Sequence, residues 1–146
     1  MDMNTLVPIN YLAVLIAAVW SVILGSFWYG PLFGKQWMKL SNIKMPKTMT
    51  PEMKKMMMKS YILTIVGGLV MSFVLAHALV FASAYMHVEG VSAGLMAGIW
   101  NWLGFIVPAS LTSVLWEGKP WKMWFINNGY WLVLLSTMGV ILAVWR

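Results

Sequence analysis

Four long apolar runs separated by short polar stretches organise this chain. The first extends from about Ile9 to Tyr29 without a charged residue. At about 1.5 Å per helical residue that is enough to cross roughly 30 Å of hydrocarbon. Gly30-Pro31 then ends it, because glycine followed by proline is a poor continuation of a helix. Three further runs follow, from about Tyr61 to Tyr85, Val91 to Trp116 and Trp124 to Trp145, and His77 is the sole acid or base inside them. The pattern predicts an all-α fold, a four-transmembrane-helix bundle with spans near 9–29, 61–85, 91–116 and 124–145. Residues 1–146 then form a single integral membrane domain.

Between the first two runs lies a lysine-rich stretch. Lys35, Lys39, Lys44, Lys47, Lys54, Lys55 and Lys59 are seven of the nine lysines in the sequence, set against Glu52 alone. Thr50-Pro51-Glu52 has the chemistry of a helix start: a capping hydroxyl, a proline at the first position and an acid near the positive end of the dipole. A short amphipathic cytoplasmic helix leading into the second span is therefore expected. Lys119 and Lys122 mark the other inner loop, whereas the loop between spans two and three carries only His87 and Glu89. The positive-inside rule then predicts a multi-pass protein of the cell's inner membrane, N-out and C-out. Trp28, Tyr29, Trp37, Trp116, Trp121 and Trp124 crowd the same proposed boundary, as amphipathic rings do at headgroup level.

Composition narrows the picture further. Of 146 residues, 61% are hydrophobic and 10% charged, and the mean hydropathy is +0.77, outside the range of soluble domains. The net charge of +6 is concentrated in loops, so no basic face is expected to track nucleic acid. The absence of cysteine excludes disulfides and thiol catalysis. Met1 to Pro8 carries no lysine or arginine, and no small-residue cleavage site follows, so the first run is expected to be a permanent anchor rather than a signal peptide.

Association in lipid rests on close packing through small residues, and the spans supply them. Ala17, Ser21 and Gly25 recur at intervals of four in the first, and Thr64, Gly68, Ser72 and Ala76 do so in the second. Gly94 and Gly98 serve the third, Gly139 and Ala143 the fourth. Pro108 is expected to kink the third span. Spans one and three share a Trp-x-Gly ending, at Trp28 and at Trp116, an echo too short to establish duplication.

Candidate chemistry is sparse. His77 and Asn101 are the intramembrane polar candidates, at nearly matched depths, and an interhelical hydrogen bond between them is expected. Met45, Met49, Met53, Met56, Met57 and Met58 could hold soft Cu(I), but with no nearby cysteine or histidine they fit better as the apolar side of an interfacial helix. Glu117 is expected to form an interfacial ion pair with Lys119, Lys122 or the first loop. With four acids, two histidines and no phosphate loop or nucleophile elbow, neither catalysis, a metal nor a cofactor is expected.

The segment Trp28-Tyr29-Gly30-Pro31-Leu32-Phe33-Gly34-Lys35-Gln36-Trp37 resembles the family catalogued as domain of unknown function 1761, small four-span prokaryotic membrane proteins. Asn10, Trp102-Leu103-Gly104-Phe105, Glu117 and Asn128-Gly129-Tyr130 also look like that family's pattern. The resemblance implies a fold and a location and no activity. It singles out Asn10, Trp28, Tyr29, Pro31, Phe33, Gly34, Trp37, Glu117, Gly129 and Tyr130 as candidate site residues. Asn10, Ala17, Ser21, Gly25 and Trp28 share one helical face, so the motif is read as packing the inner rim of the bundle.

The expected role is that of a non-enzymatic scaffold or accessory subunit, whose partners are membrane lipids and either further copies of itself or a larger membrane complex. The alternative is a small oligomeric transporter or channel for a small or lipophilic solute. An impermeant amine label should reach Lys44 and Lys54 only after the membrane is opened, and labelling of intact cells contradicts the orientation.

Overall fold

The computed structural model describes residues 8–43 and 48–145, and Lys44, Met45 and Lys47, together with the stretch before Pro8, lie outside the described residues. The helices are α1 (Tyr11–Phe27), α2 (Gly34–Leu40), α3 (Pro51–Met86), α4 (Gly90–Asn101), α5 (Val107–Leu115) and α6 (Trp121–Val144). Two π-helical turns interrupt the spans, Trp28–Leu32 after α1 and Trp102–Ile106 between α4 and α5. No strand occurs among the described residues. Four segments are long and apolar enough to cross a membrane, Tyr11–Leu32, Pro51–Met86, Gly90–Leu115 and Trp121–Val144. The protein is an all-helical, multi-pass membrane bundle.

Local chemistry sets the helix ends. Asn10 Oδ1 accepts from the backbone N–H groups of Leu12 and Ala13, at 3.0 and 3.2 Å, and so caps α1. Its Nδ2 donates to the Trp145 carbonyl at 2.9 Å, which ties the start of the first span to the end of the fourth. Both ends therefore lie on one face of the bundle. Thr50 caps α3 as its sequence predicts, its hydroxyl accepting from Met53 N–H at 3.3 Å. The expected surface helix and second span prove to be one unbroken helix of 36 residues. At about 54 Å it exceeds the hydrocarbon thickness, so its first turns must stand outside the apolar layer.

Packing follows the small-residue ridges. Ala17, Ala18 and Ser21 of α1 are buried against Gly68, Ser72 and Ala76 of α3. A side chain at Gly68 would meet Ser21 Oγ at 2.6 Å, and the Ser72 hydroxyl crosses to the Val14 carbonyl at 3.0 Å. On the other side of the bundle α4 lies directly on α6. A Cβ at Gly94 would overlap the Gly139 carbonyl, and one at Gly98 would overlap the Leu135 carbonyl. Only glycine lets these two backbones approach so closely. Thr64 departs from its expected ridge: it is exposed, because α3 N-terminal to Gly68 leaves the bundle and packs on almost nothing among the described residues.

α6 is the central helix, packing against α1, α3, α4 and α5. Leu134, Met138 and Leu142 form the middle of the core. Every buried side-chain polar atom among the described residues has a hydrogen-bond partner, as a solvent without donors or acceptors requires.

The expected irregularity near Pro108 takes the form of the π turn immediately before it. Proline offers no N–H to the preceding turn, and the Val107 N–H reaches back to Trp102, five residues earlier. Pro31 sits inside the other π turn, where the Phe33 N–H reaches the Trp28 carbonyl at 2.9 Å, again five residues back. The echo between spans one and three is therefore real in geometry but belongs to Trp28 and Trp102. Trp116, its expected counterpart, is 85% exposed.

Replacing Gly139 by leucine should lower stability by about 1–3 kcal/mol or more through overpacking. Gly67→Leu, at a site with nothing within 4 Å of a new Cβ, should be near neutral. Thermal unfolding in a mild detergent distinguishes the two, and equal effects contradict the packing described.

Candidate functional site

Aromatic donors converge on α6 at the lysine-bearing end of the bundle. Trp28 keeps the register of α1 as the π turn begins, and its indole N–H donates to the Ile126 carbonyl at 3.1 Å. Trp102 stands likewise at the end of α4, and its indole N–H reaches the Asn128 carbonyl at 3.0 Å. Tyr29 donates to Asn127 Oδ1 at 3.0 Å, and Tyr130 donates back to the Ser21 carbonyl at 3.1 Å. Thus α1 and the α4–α5 span are pinned to neighbouring turns of one helix.

Around these bonds the rings pack closely. Phe33 lies 4.9 Å from Trp28, and Tyr29 contacts both Trp37 and Tyr130, at 5.6 and 5.2 Å between centroids. Gly129 lies under the Trp28 ring, where a Cβ would sit 3.2 Å from it. At Gly34 a Cβ would press on the Tyr29 carbonyl, so the tight step from the π turn into α2 requires glycine. Trp28, Tyr29, Phe33, Gly34, Trp37, Gly129 and Tyr130 therefore form one cluster, while Pro31 lies exposed within the π turn.

Asn128 is 2% exposed and fully satisfied. Its Nδ2 donates to Ser110 Oγ at 3.0 Å and to the Trp124 carbonyl at 3.1 Å, while its Oδ1 lies 3.2 Å from the Ser110 hydroxyl. The Trp124 indole also donates to Ser110 Oγ, at 3.0 Å. This network joins α5 to α6.

Beside the cluster opens a cleft of about 1000 Å³. One wall is the π turn and α2, with Tyr29, Lys35 and Trp37; the opposite wall is the projecting part of α3, with Ser60, Tyr61 and Thr64. Its floor belongs to α5 and α6, through Ser110, Ser113, Trp124, Asn127, Asn128 and Trp131. The contact of Ser41 Oγ with Met123 Sδ, at 3.9 Å, brings the end of α2 against the start of α6 and closes that corner.

Other candidates stand apart. The expected bond between His77 and Asn101 does not form: His77 Nδ1 lies 2.8 Å from the Phe73 carbonyl of its own helix, and Asn101 Nδ2 donates to Ala97 O at 2.8 Å. The reason is helical register. At about 100° per residue His77 falls on the side of α3 opposite Leu75 and Leu79, whereas Asn101 borders the α3–α4 seam. Depth along a span says nothing of azimuth. Asn10 caps the far end of α1, and Glu117 pairs with Lys119 at 2.6 Å on the exposed loop. Such an exposed pair contributes little to stability. Met49, Met56 and Met58 are exposed, and no group of three or more His, Cys, Asp or Glu side chains suited to a metal occurs among the described residues.

The residues missed in the sequence are Ser110, Asn127 and Trp131. Two consecutive amides within an apolar run were an available signal, since each must find partners away from water.

A family model described as "Protein of unknown function (DUF1761)" matches residues 12–143. No curated protein and no solved structure matches the chain.

Trp28→Phe and Trp102→Phe should each cost about 0.5–1.5 kcal/mol, the net worth of one hydrogen bond. Trp116→Phe should have no measurable effect on unfolding, and equal losses in all three contradict the assignment.

Proposed function

The chain belongs to the family described as protein of unknown function (DUF1761), and on that footing we propose that it is a non-enzymatic scaffold or accessory subunit of the inner membrane. Its working surface in this reading is the aromatic and amide-lined cleft, which holds further copies of the chain or a component of a larger membrane complex. The observation that carries the proposal is the coupling of a rigid floor to an unfilled opening. Indole and phenol donors fix α1, α5 and α6 around the cleft, while the projecting part of α3 has no neighbour behind it among the described residues. The close approach of Gly94 and Gly139 supports a holding role over passage, because it seals the middle of the bundle on that side. Lysines on α2, on the first turns of α3 and on the loop before α6 share the cleft's end, which supports an orientation with that end in the cytoplasm and both termini outside.

A small oligomeric transporter or channel for a lipophilic solute is the second reading. The two π turns support it, since such turns, together with nearby prolines, are recurrent points of helix rearrangement.

Mild-detergent purification from the native membrane should recover the chain with itself or with stoichiometric partners. Thr64→Trp, which fills the cleft from an exposed position, should abolish that association without changing the melting temperature. Recovery of a partner-free monomer contradicts the scaffold, and protein-dependent solute flux into liposomes favours the second reading.

A further inference from the structure

The cleft has a one-sided hydrogen-bonding character. Lys35 at its mouth is a cation with no ion-pair partner among the described residues. Asn127 accepts from Tyr29 through its Oδ1, and among the described residues the two N–H groups of its Nδ2 have no partner. The indole N–H groups of Trp37 and Trp131 likewise have none among the described residues, in contrast to those of Trp28, Trp102 and Trp124. No residue lining the cleft is an acid. Free donors and a positive charge therefore gather where nothing negative balances them.

Depth adds a second constraint. Lys35 lies in the lysine-bearing loop region, whereas Thr64 and Trp131 belong to the apolar runs of spans two and four. The cleft thus reaches from the polar rim into the apolar layer, and its walls change from cationic to aromatic along the way. Its volume of about 1000 Å³ is far larger than an inorganic anion needs. A ligand matching both gradients has an anionic, acceptor-rich head and an apolar tail.

We propose that the cleft binds an amphiphilic anion, a phosphate ester or comparable acidic head on a hydrocarbon chain, with Lys35, the Asn127 amide and the Trp37 indole N–H at the head and the ring of Trp131 beside the tail. This rests on the reading of the cleft as the protein's working surface. The chemistry is that of an anionic phospholipid and equally of a soluble lipophilic acid. A cationic head has no counter-charge in the cleft, and desolvating it there is unfavourable. The hydroxyls of Ser60 and Thr64 donate to carbonyls of their own helix, so their lone pairs face the opening as neutral acceptors only.

Native mass spectrometry of the full chain in a neutral maltoside detergent tests the proposal, with dodecyl phosphate as probe. Inorganic phosphate and dodecyltrimethylammonium serve as the head-only and opposite-charge controls. The expected result is a saturable single adduct of dodecyl phosphate, with each control at least about tenfold weaker. Lys35→Gln and Asn127→Asp should each weaken it about tenfold, the latter keeping the acceptor for Tyr29 while replacing the free donor by negative charge. Lys54→Gln, the same change of net charge on exposed α3, should leave it within about twofold.

Equal weakening by Lys35→Gln and Lys54→Gln overturns the proposal in favour of diffuse surface charge. Equal binding of dodecyltrimethylammonium overturns the anionic head, and equal binding of inorganic phosphate overturns the tail. Competition by phosphatidylglycerol but not by matched-chain phosphatidylcholine identifies a membrane lipid as the source, and its absence alongside dodecyl phosphate binding identifies a soluble acid. Amphiphile binding by a chain that recovers no protein partner leaves this assignment standing and removes the scaffold alone.

Discussion

Hydrocarbon offers an N–H group no partner, so each donor carried into the bilayer must find an acceptor within the protein. This chain carries many such donors on tryptophan, and α6 takes up three of them. Trp28 and Trp102 donate to its backbone carbonyls, and Trp20 donates to its Thr137 hydroxyl at 2.8 Å. A fourth runs the other way, from Trp124 of α6 to Ser110. Each bond is modest in net free energy, but the alternative for a buried donor is an unsatisfied group, which costs considerably more. The placement of α6 at the centre follows from that asymmetry together with the glycine contact to α4.

The two π turns set the path of the chain beyond these tryptophans. Trp28 and Trp102 keep the register of α1 and α4, their backbone N–H groups still bonding Leu24 and Gly98 four residues back, and the extra residue in each turn redirects the segment that follows. The same device, with the same Trp-x-Gly beginning, operates between α4 and α5. Proline lies within one turn and just after the other, and in each the amide closing the turn reaches back to the tryptophan carbonyl. Because the rings on the lysine-bearing side are fixed while α3 N-terminal to Gly68 is not packed, the cleft has a rigid floor and one unsupported wall.

Much of this was legible in the sequence. Charge-free runs and lysine-rich loops predicted four long apolar helices, which are present although the second begins at Pro51 rather than near Tyr61, and the Thr50 cap and the ridges of Ala17, Ser21, Gly68, Ser72, Gly94, Gly98 and Gly139 behaved as their spacing predicted. These depend on local composition and on a single helical period. What was not legible depended on azimuth between helices. His77 and Asn101 face different directions, and the cluster around Asn127 and Asn128 required knowing that α5 and the π turn after α1 meet the same stretch of α6. The π turns themselves left only a trace, since a Trp-x-Gly pair is common in membrane chains and one of the two copies expected, at Trp116, was the wrong one.

Indole N–H exchange measures the central interaction most directly. In nitrogen-labelled protein reconstituted in a deuterated detergent, the ten tryptophan side chains give separate indole signals that can be assigned by substitution. On transfer to heavy water, Trp20, Trp28, Trp102 and Trp124 should exchange slowest, while Trp116 and Trp121 should exchange first. Trp28 and Trp102 exchanging as fast as Trp116 would contradict the picture of α6 as the acceptor on which the bundle is assembled.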